Sequence, residues 1–439
     1  MNASSGFQPR SAWAMTFLLT FLALINFLDK IVLGMVAVPL MAEMHLSPSE
    51  FGLIAGSFFW LFSTSTIAVG FMSNRFQTRW LLLTMGISWA LVQLPQALTS
   101  SAAALLACRV ILGAAEGPAF PVTVHALYKW FPDQKRNVPI AIVNQGAAAG
   151  LLLAGLLIPL VTHRWGWRMN FAILGAVGAI WSVLWLFVGR EGNLGAHGAK
   201  SSVASGSGAD HAAHSTHFTY RLPYRRILSD PSVLSVFLLG FAAYWMLGQN
   251  LMWLPAYLEK GLGFPSIDAG RWFALVIATT APVNIGLSWL SQRMMERGAS
   301  TRLARVQLVC LTMLAGASGY VALLVLDLAP VQKVMLFAVS CALPTLSFSL
   351  APALLAEMVP ESQRGSIVSI HTALASLGAA VAPAVMGRIV QLHGGDHAYE
   401  PGFATASIVL IVAALAALRW LHPERSYRTL NRSAAPLTA

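Results

Sequence analysis

Long apolar stretches recur along this chain of 439 residues, and short polar segments separate them. A helix needs about 20 consecutive apolar residues to cross the roughly 30 Å hydrocarbon core of a bilayer. Because the backbone finds no water there, its polar groups must bond within the segment, and such segments are helical. The pattern predicts twelve membrane-spanning helices, within residues 13–38, 51–72, 80–98, 102–127, 138–162, 167–188, 232–257, 269–290, 304–326, 334–357, 366–391 and 403–421.

The composition also indicates a membrane protein. Hydrophobic residues make up 56% of the chain and charged residues 10%, whereas soluble domains carry about 25% charged residues. So few charges are not enough to cover a surface that faces water. We therefore predict an all-α membrane protein that is embedded in the lipid bilayer.

The net charge of +11 would fit a nucleic-acid-binding protein, but the positions of the charges argue against one. If the N-terminus is cytoplasmic, twenty of the 28 Lys and Arg residues fall in cytoplasmic segments, five in outer loops and three within spans. Positive residues concentrate on the cytoplasmic side of membrane proteins. We predict a multi-pass protein of a cell membrane, in bacteria the inner membrane, with both termini in the cytoplasm and no nucleic-acid partner.

The longest polar segment separates six spans from six. It covers residues 191–226 and includes a tract rich in Ala, Gly, Ser and His at 199–217, which has too few apolar residues to form a core. The histidines of this tract and the three cysteines of the spans lack the spacing of a metal site, so we predict neither a metal nor a cofactor. The chain divides into a first half (1–190), a cytoplasmic linker (191–226) and a second half (227–439).

The two halves carry traces of a sequence repeat. Residues 130–137 match residues 358–365, and residues 73–75 match residues 291–293. Each copy lies at the cytoplasmic exit of the corresponding span. Two six-helix pseudo-repeats are the architecture of major facilitator transporters, which bind substrate between the halves near the middle of the membrane. We predict this fold, and a monomer.

Four ionisable residues lie inside predicted spans of the first half: Asp29 and Lys30 in the first span, and Arg109 and Glu116 in the fourth. A charge inside a span costs about 2.5–3.5 kcal/mol on insertion scales, so such residues are candidates for function. Arg109 and Glu116 are seven residues apart, which puts them on one helix face and about 10 Å apart along the helix axis.

These four charges have two interpretations. They could form a buried network of two acids and two bases that holds helices together. Alternatively, the cations bind an anionic substrate and the acids carry protons, because the loss of water favours the neutral form of a carboxylic acid. We favour the functional interpretation, since all four residues lie on the first and fourth spans.

Uncharged polar residues in the second half are further candidates. Gln249 and Asn250 lie in the seventh span, and His371 and Thr372 lie in the eleventh. In a helical bundle, such residues are first candidates for hydrogen bonds between helices. Because the seventh and eleventh spans face the cavity in the major facilitator architecture, we predict that these four residues also contact the substrate.

Several motifs point to a family. The first span contains Asn-Phe-Leu-Asp-Lys at 26–30, and a Trp-Phe-Pro…Arg segment lies at 130–136. The seventh span ends with Trp-Leu-Pro-Ala-Tyr-Leu at 253–258. The fourth span follows the pattern Arg…Gly-x-x-Glu-x-Pro-x-x-Pro with Arg109, Gly113, Glu116, Pro118 and Pro121. Over its whole length the chain resembles the anion:cation symporter family of the major facilitator superfamily, which transports sugar acids, hexuronates and aromatic acids.

The resemblance implies roles for the charged residues. Glu116 would be the main proton carrier and Asp29 a second coupling acid, while Lys30 and Arg109 would bind the anion. A proton on Glu116 would loosen its hold on Arg109 and free that cation for substrate. The proton is then the coupling ion.

Three positions depart from the family pattern. Lys30 replaces an Arg, so a point charge replaces a two-pronged hydrogen-bond donor. Phe27 replaces a Tyr and lacks its hydroxyl, and Thr372 aligns with the Asn that sugar-acid members have in helix eleven. We therefore expect an organic carboxylate as substrate, but not a standard hexonate.

The predicted function is proton-coupled uptake of a small organic anion. The alternative is an antiporter of the same fold that exports drugs or metabolites. Such exporters carry Gly-Pro-x-x-Gly-Gly in helix five, where this chain has Asn-Gln-Gly-Ala-Ala-Ala-Gly at 144–150. A membrane enzyme would need a nucleophile with its base, or a metal motif such as His-Glu-x-x-His, and a sensor would usually add an output domain. We expect neither.

Overall fold

The computed structural model describes residues 8–72, 75–132, 135–192, 222–360 and 363–432. Within these ranges twelve helices are long and apolar enough to cross a membrane, which confirms the predicted number. We number them spans 1 to 12: Pro9–Met35, Pro48–Val69, Thr78–Leu98, Ala102–Trp130, Asn137–Trp165, Trp167–Val188, Pro231–Gly261, Ser266–Glu296, Arg302–Val325, Pro330–Met358, Arg364–His393 and Tyr399–Trp420.

Several helices continue past the apolar stretch that predicted them. Span 8 begins three residues before and ends six residues after the predicted 269–290. A helix continues as long as its backbone hydrogen bonds form, whether or not its side chains are apolar. The start of span 2 illustrates this, because Ser47 accepts a hydrogen bond from the Glu50 backbone and donates its own backbone N–H to the Glu50 carboxylate.

Five spans are not continuous α-helices. Span 4 breaks at Gly117 and Pro118, directly after Glu116, and Pro118 has no N–H to donate to the preceding turn. Span 2 consists of Pro48–Ser57 and Phe62–Met72, and span 4 of Ala102–Glu116 and Ala119–Trp130. In span 7 the π-helix Tyr257–Gly261 follows the α-helix Pro231–Ala256, and in span 9 the π-helix Arg302–Gln307 precedes the α-helix Leu308–Val325. Span 10 consists of Pro330–Ala342, the 3₁₀-helix Leu343–Thr345 and Leu346–Met358.

An even number of spans places Pro9, where span 1 begins, and Trp420, where span 12 ends, on one side of the bundle. We call this the near side and the opposite one the far side. Short helices Tyr224–Leu228 and Pro423–Arg432 lie at the near side, and Ala37–Glu43 and the 3₁₀-helix Asp396–Ala398 lie at the far side.

The first six and the last six spans meet closely in their far-side portions. A Cβ atom added at Gly52 or Gly56 of span 2 would overlap with a backbone carbonyl of span 11, and one at Gly34 of span 1 would overlap with a carbonyl of span 7. Gly155 of span 5 and Gly270 of span 8 pack against each other in the same way. Glycine at these positions lets the backbones of the two halves touch.

The contact between the halves continues to the middle of the bundle. There the hydroxyl of Ser63 in span 2 donates to the Ala373 carbonyl of span 11, at 2.9 Å, and also contacts the Ser376 hydroxyl. A groove of about 410 Å³ lies between spans 2 and 11 at this level, and Ile67 and Leu374 are part of its lining.

The described ends of the predicted linker are each attached to one half. Glu191 accepts hydrogen bonds from Thr78, from the Arg79 backbone and from Lys129. Burial raises the pKa of Glu191, but the bonds from Lys129 and Arg79 outweigh it, so the pKa lies below its usual range. At the other end of the linker, the Gln363 amide accepts from the Leu222 backbone N–H and donates to the Leu222 carbonyl, each at 2.8 Å. The 199–217 tract lies outside the described residues.

Two features occur at matching places in the two halves. The α-helix of span 4 ends at Glu116 and that of span 10 at Ala342, 226 residues later, close to the offset of 228 between the repeated segments 130–137 and 358–365. Near the start of span 3, Arg79 donates to the Leu186 carbonyl of span 6, and at the start of span 9 Arg302 donates to the Leu418 carbonyl of span 12. The division into two pseudo-repeats and a linker stays a prediction, which these matches support.

Candidate functional site

The four charges predicted in the first half lie together. Asp29 and Lys30 of span 1 face Arg109 and Glu116 of span 4, and three of them are almost fully buried, at 0–1% exposure. Lys30 differs, because 12% of its side chain is exposed. The formal charges of two acids and two bases cancel, so the cluster is neutral when all four are ionised.

Asn26 joins the opposite charges of Lys30 and Glu116. Its Nδ2 donates to Glu116 Oε2 at 2.8 Å, and its Oδ1 accepts from the Lys30 ammonium. Lys30 Nζ lies 4.0 Å from Glu116 Oε2. The ammonium also lies over the rings of Phe27 and Phe62, at 4.4 and 5.5 Å from their centroids. Glu116 is thus the acid paired with Lys30, and an amide mediates most of the contact.

Arg109 has a different environment from the one that the resemblance implied. Its Nη1 donates to the Asp29 backbone carbonyl at 3.3 Å, and its guanidinium lies over the Phe58 ring, 4.8 Å from the centroid. Its Nε and Nη2 have no hydrogen-bond partner among the described residues. Glu116 acts on Arg109 through charge but does not form an ion pair with it at hydrogen-bond distance. The axial separation of seven residues keeps the two groups apart.

Two glycines of span 4 set the position of Glu116. A Cβ atom at Gly113 would overlap with the Phe58 carbonyl oxygen of span 2, and one at Gly117 with the Phe62 carbonyl oxygen. These glycines allow the two helices to approach closely on both sides of Glu116. The break after Glu116 lies at the same place, so the carboxylate stands at a helix end next to the interface with span 2.

Two buried amides in this region were not predicted from the sequence. Gln93 and Gln96 of span 3 are fully buried, and Gln96 Nε2 donates to Gln93 Oε1 at 3.2 Å. The Gln93 side chain faces the Asp29 carboxylate. The spacing of three residues, which places both amides on one face of an apolar helix, was the signal available in the sequence.

Gln249 and Asn250 lie away from the charged cluster. Gln249 Nε2 donates to the Gly402 carbonyl of span 12 at 2.6 Å, and Asn250 Nδ2 donates to the Tyr320 hydroxyl of span 9 at 3.0 Å. Both contacts stay within the last six spans. The interhelical role that the sequence analysis also considered is the one visible in this conformation.

His371 and Thr372 lie toward the near-side end of span 11. The His371 ring is buried against span 7, where it fills the space next to Gly240 and lies 5.7 Å from the Phe237 ring. Thr372 is partly buried, and its hydroxyl donates to the Val368 carbonyl of its own helix. The structure does not bring these two residues into contact with the four charges.

A second ionic cluster lies at the far-side end of the last six spans. Glu400 of span 12 pairs with Lys333 of span 10 and accepts a hydrogen bond from the Tyr257 hydroxyl at 3.1 Å. All three residues are buried, and they tie the far end of span 7 to two neighbouring helices. Sequence reasoning missed this cluster, because each residue stands near the end of a different span.

A polar contact covers the far side of the first half. Glu43 accepts a hydrogen bond from Trp167 at 2.6 Å and pairs with Arg168. The hydrogen bonds of Trp167 and Arg168 hold the pKa of Glu43 below its usual range. Arg168 also donates to the Thr99 carbonyl at 3.2 Å, which ties the end of span 3 to this contact.

Twelve spanning helices with a charged cluster buried inside one half define a polytopic membrane protein of the transporter class. The family model described as Major Facilitator Superfamily matches residues 19–345 and 298–438. The chain therefore belongs to the major facilitator superfamily. The predicted family is confirmed, and the chain is a transport protein and not an enzyme.

Several named relatives are similar along the chain. The hexuronate transporter of Bacillus subtilis (strain 168) is 26% identical over 419 residues, which cover 92% of this chain and 94% of that protein. The D-galactonate transporter of Escherichia coli O6:H1 is 23% identical and covers 93% and 95%. The chloroplastic ascorbate transporter of Arabidopsis thaliana is 27% identical over 68% of this chain, which spans only 56% of that protein.

Solved structures share the fold. A bacterial homologue of the human lysosomal transporter Spinster, in an inward-facing and unoccupied conformation, has a TM-score of 0.75 at 17% identity and covers 97% of this chain and 98% of its own. A D-xylose–proton symporter has a TM-score of 0.72 at 16% identity and covers 94% and 99%. At these identities the similarity concerns the fold alone.

Proposed function

We propose that this protein is a secondary transporter that takes up a small organic anion together with protons. The observation that carries the proposal is the state of Lys30. It is the least buried charge of the cluster, and its nearest acid is 4.0 Å away. A cation that is partly open and weakly paired is a suitable ligand for a substrate carboxylate.

The contacts of Asn26 support a direct form of proton coupling. When Glu116 is ionised, it holds Lys30 through the Asn26 amide. Protonation of Glu116 would leave the cluster with one net positive charge, and an anionic substrate bound at Lys30 would restore neutrality. Proton and anion then favour each other's binding. The loaded cluster is again neutral while the two halves move relative to each other within the membrane.

This route differs from the one that the resemblance implied, in which Glu116 releases Arg109. Arg109 is fully buried and lies behind Asp29 in this conformation. We propose that Lys30 makes the first contact with the anion and that Arg109 stabilises the cluster from behind. Asp29 is then a second proton acceptor. Gln249, Asn250, His371 and Thr372 remain candidate substrate contacts for conformations in which the second half moves.

The relatives bear on the substrate class. The relatives include proteins named as transporters of hexuronate, D-galactonate and ascorbate. These three substrates are small hydroxylated organic anions. We propose a substrate of this size and charge. Because Lys30, Phe27 and Thr372 differ from the sugar-acid pattern, we expect preference for an anion that is less hydroxylated than a hexonate.

The orientation of the protein follows from the charges. We propose that the near side is cytoplasmic, with both termini and residues 191–226 inside, and that one chain is the working unit. The backbone contacts between the halves lie at the far side and the middle of the bundle. This arrangement supports a state in which the substrate site opens toward the cytoplasm.

The variant Glu116→Gln tests the proposal. A permanently neutral side chain imitates the protonated acid and cannot release a proton, so we expect no accumulation of substrate in a pH gradient but continued exchange of internal for external substrate. The assay uses proteoliposomes and a panel of D-glucuronate, D-galactonate, ascorbate and benzoate. Glu357→Gln, which removes an acid at the near-side surface, is the control and should accumulate substrate normally. Accumulation by Glu116→Gln would refute the role of Glu116.

A further inference from the structure

We propose that protons reach Asp29 from the far side through the interior of the first half, along a polar path formed by Gln96 and Gln93 of span 3. This path is separate from the space between the two halves in which the substrate binds. The inference rests on the proposed proton coupling. It gives the second coupling acid its own access to the outside.

The two amides lie in series between the far-side end of span 3 and Asp29. Gln96 donates to Gln93 at 3.2 Å, and Gln93 faces Asp29. Span 3 ends at Leu98, so with a rise of 1.5 Å per residue Gln96 lies about 3 Å and Gln93 about 8 Å below the helix end. Above Gln96, the Thr99 carbonyl accepts from Arg168, which belongs to the far-side contact with Glu43. In the proposed path, water bridges the interval between the Thr99–Arg168 contact and Gln96, and the two amides continue from there to the carboxylate.

Unsatisfied polar atoms mark the same path. Gln96 Oε1 and Asp29 Oδ1 are buried and have no hydrogen-bond partner in the part of the chain that the structure describes. An unpaired buried polar atom is costly, and ordered water commonly satisfies such groups in folded proteins. These two atoms stand at the two ends of the Gln96–Gln93–Asp29 series, where ordered water would bind.

The path avoids the substrate site. Asp29 is only 1% exposed, and the far-side contacts of Gly34, Gly52 and Gly56 close the space between the halves on that side. The charged groups that face Asp29 are Lys30 of its own helix and Arg109 of span 4, with Glu116 of span 4 as the other acid of the cluster.

The test compares Gln93→Leu and Gln96→Leu with Asn284→Leu, which removes a partly buried amide from span 8 of the second half. Leucine has a similar volume but cannot bond water or pass a proton. The protein is reconstituted with its far side outward, and the outside is acidified rapidly. Protonation of Asp29 is followed through the infrared band of its carboxylic acid, which is assigned by its loss in Asp29→Asn.

We expect both span 3 variants to slow the protonation of Asp29 by about tenfold or more, since positioned proton-transfer groups typically contribute 10²- to 10⁴-fold. Asn284→Leu should behave as the wild type. Gln96→Leu is the decisive variant, because Gln96 bonds to Gln93. If the amides only positioned the Asp29 carboxylate, Gln96→Leu would not slow the protonation of Asp29.

Unchanged protonation kinetics in a folded Gln96→Leu protein would overturn the path. The infrared signal requires no substrate, so it is independent of the transport assay. If Asp29 protonates through the path but the wild type never accumulates substrate in a proton gradient, the proposed function fails and the path stands.

Discussion

Gly56→Ala is predicted to shift the protein toward a conformation that is open at the far side. Gly56 of span 2 packs against the backbone of span 11, and an added Cβ atom would overlap with the Ala380 carbonyl oxygen. A backbone carbonyl within a helix cannot move aside as a flexible side chain would. The two helices must therefore separate at this point, which is the contact that holds the halves together on the far side.

The size of the shift follows from the cost of overpacking. Inserting a methyl group into a well-packed contact costs about 1–3 kcal/mol. A conformation in which the far-side ends have parted does not pay this cost, so the ratio of far-side-open to far-side-closed molecules should rise about 5- to 150-fold. The fold of each half is unaffected, because the clash lies between the halves.

The assay measures a distance between spin labels on the far side, one at Ser100 of the first half and one at His393 of span 11, both of which are exposed. The buried native cysteines Cys108, Cys310 and Cys341 are replaced beforehand. The wild type should give mainly the short distance, and Gly56→Ala should add a longer one.

Two glycine variants are matched controls for this experiment. Gly286→Ala of span 8 adds a methyl group where no atom lies within 4 Å, so it should leave the distances unchanged. Gly86→Ala creates a clash with Trp181 inside the first half and should lower thermal stability without changing the distances. A Gly56→Ala protein with the wild-type distance distribution would refute the interpretation of these glycines as the far-side contact.

Two further predictions concern Lys30 and the orientation of the chain. Lys30→Ala should lose substrate binding. Lys30→Arg should keep it, because the charge is retained and only the donor geometry changes. If the double variant Lys30→Ala with Asp29→Asn recovered both the yield of folded protein and transport, the Lys30–Asp29 pair would be structural. A cysteine placed within residues 199–217 should resist an impermeant reagent added to intact cells, and its labelling from outside would reverse the proposed topology.

The number of spans was predictable because apolar length is a property of the chain alone. The four charges were also predictable, since Asp29, Lys30, Arg109 and Glu116 are rare residues in a hydrocarbon environment. Their approximate grouping followed from the family pattern. What the sequence could not give was the pairing of Lys30 with Glu116, because this depends on how spans 1 and 4 are rotated and on the amide of Asn26 between them.

The uncharged residues were harder to predict for the same reason. Gln249 and Asn250 are adjacent on span 7, about 100° apart around the helix, and both side chains bond to neighbours in the second half. Gln93 and Gln96 carry no charge and belong to no recognised motif, although Gln93 faces Asp29 and Gln96 bonds to Gln93. Hydropathy records that a residue is polar, but only helix rotation decides what it faces.

The most direct test of the central claim is to measure substrate and proton entry together. Proteoliposomes that contain the wild-type protein and an internal pH indicator are given an inward gradient of the transported anion at equal pH on both sides. The account predicts that the lumen becomes more acidic as substrate enters, and that this acidification is absent with Glu116→Gln and in liposomes without protein. Entry of substrate without acidification, or with an alkaline shift, would contradict proton–anion symport.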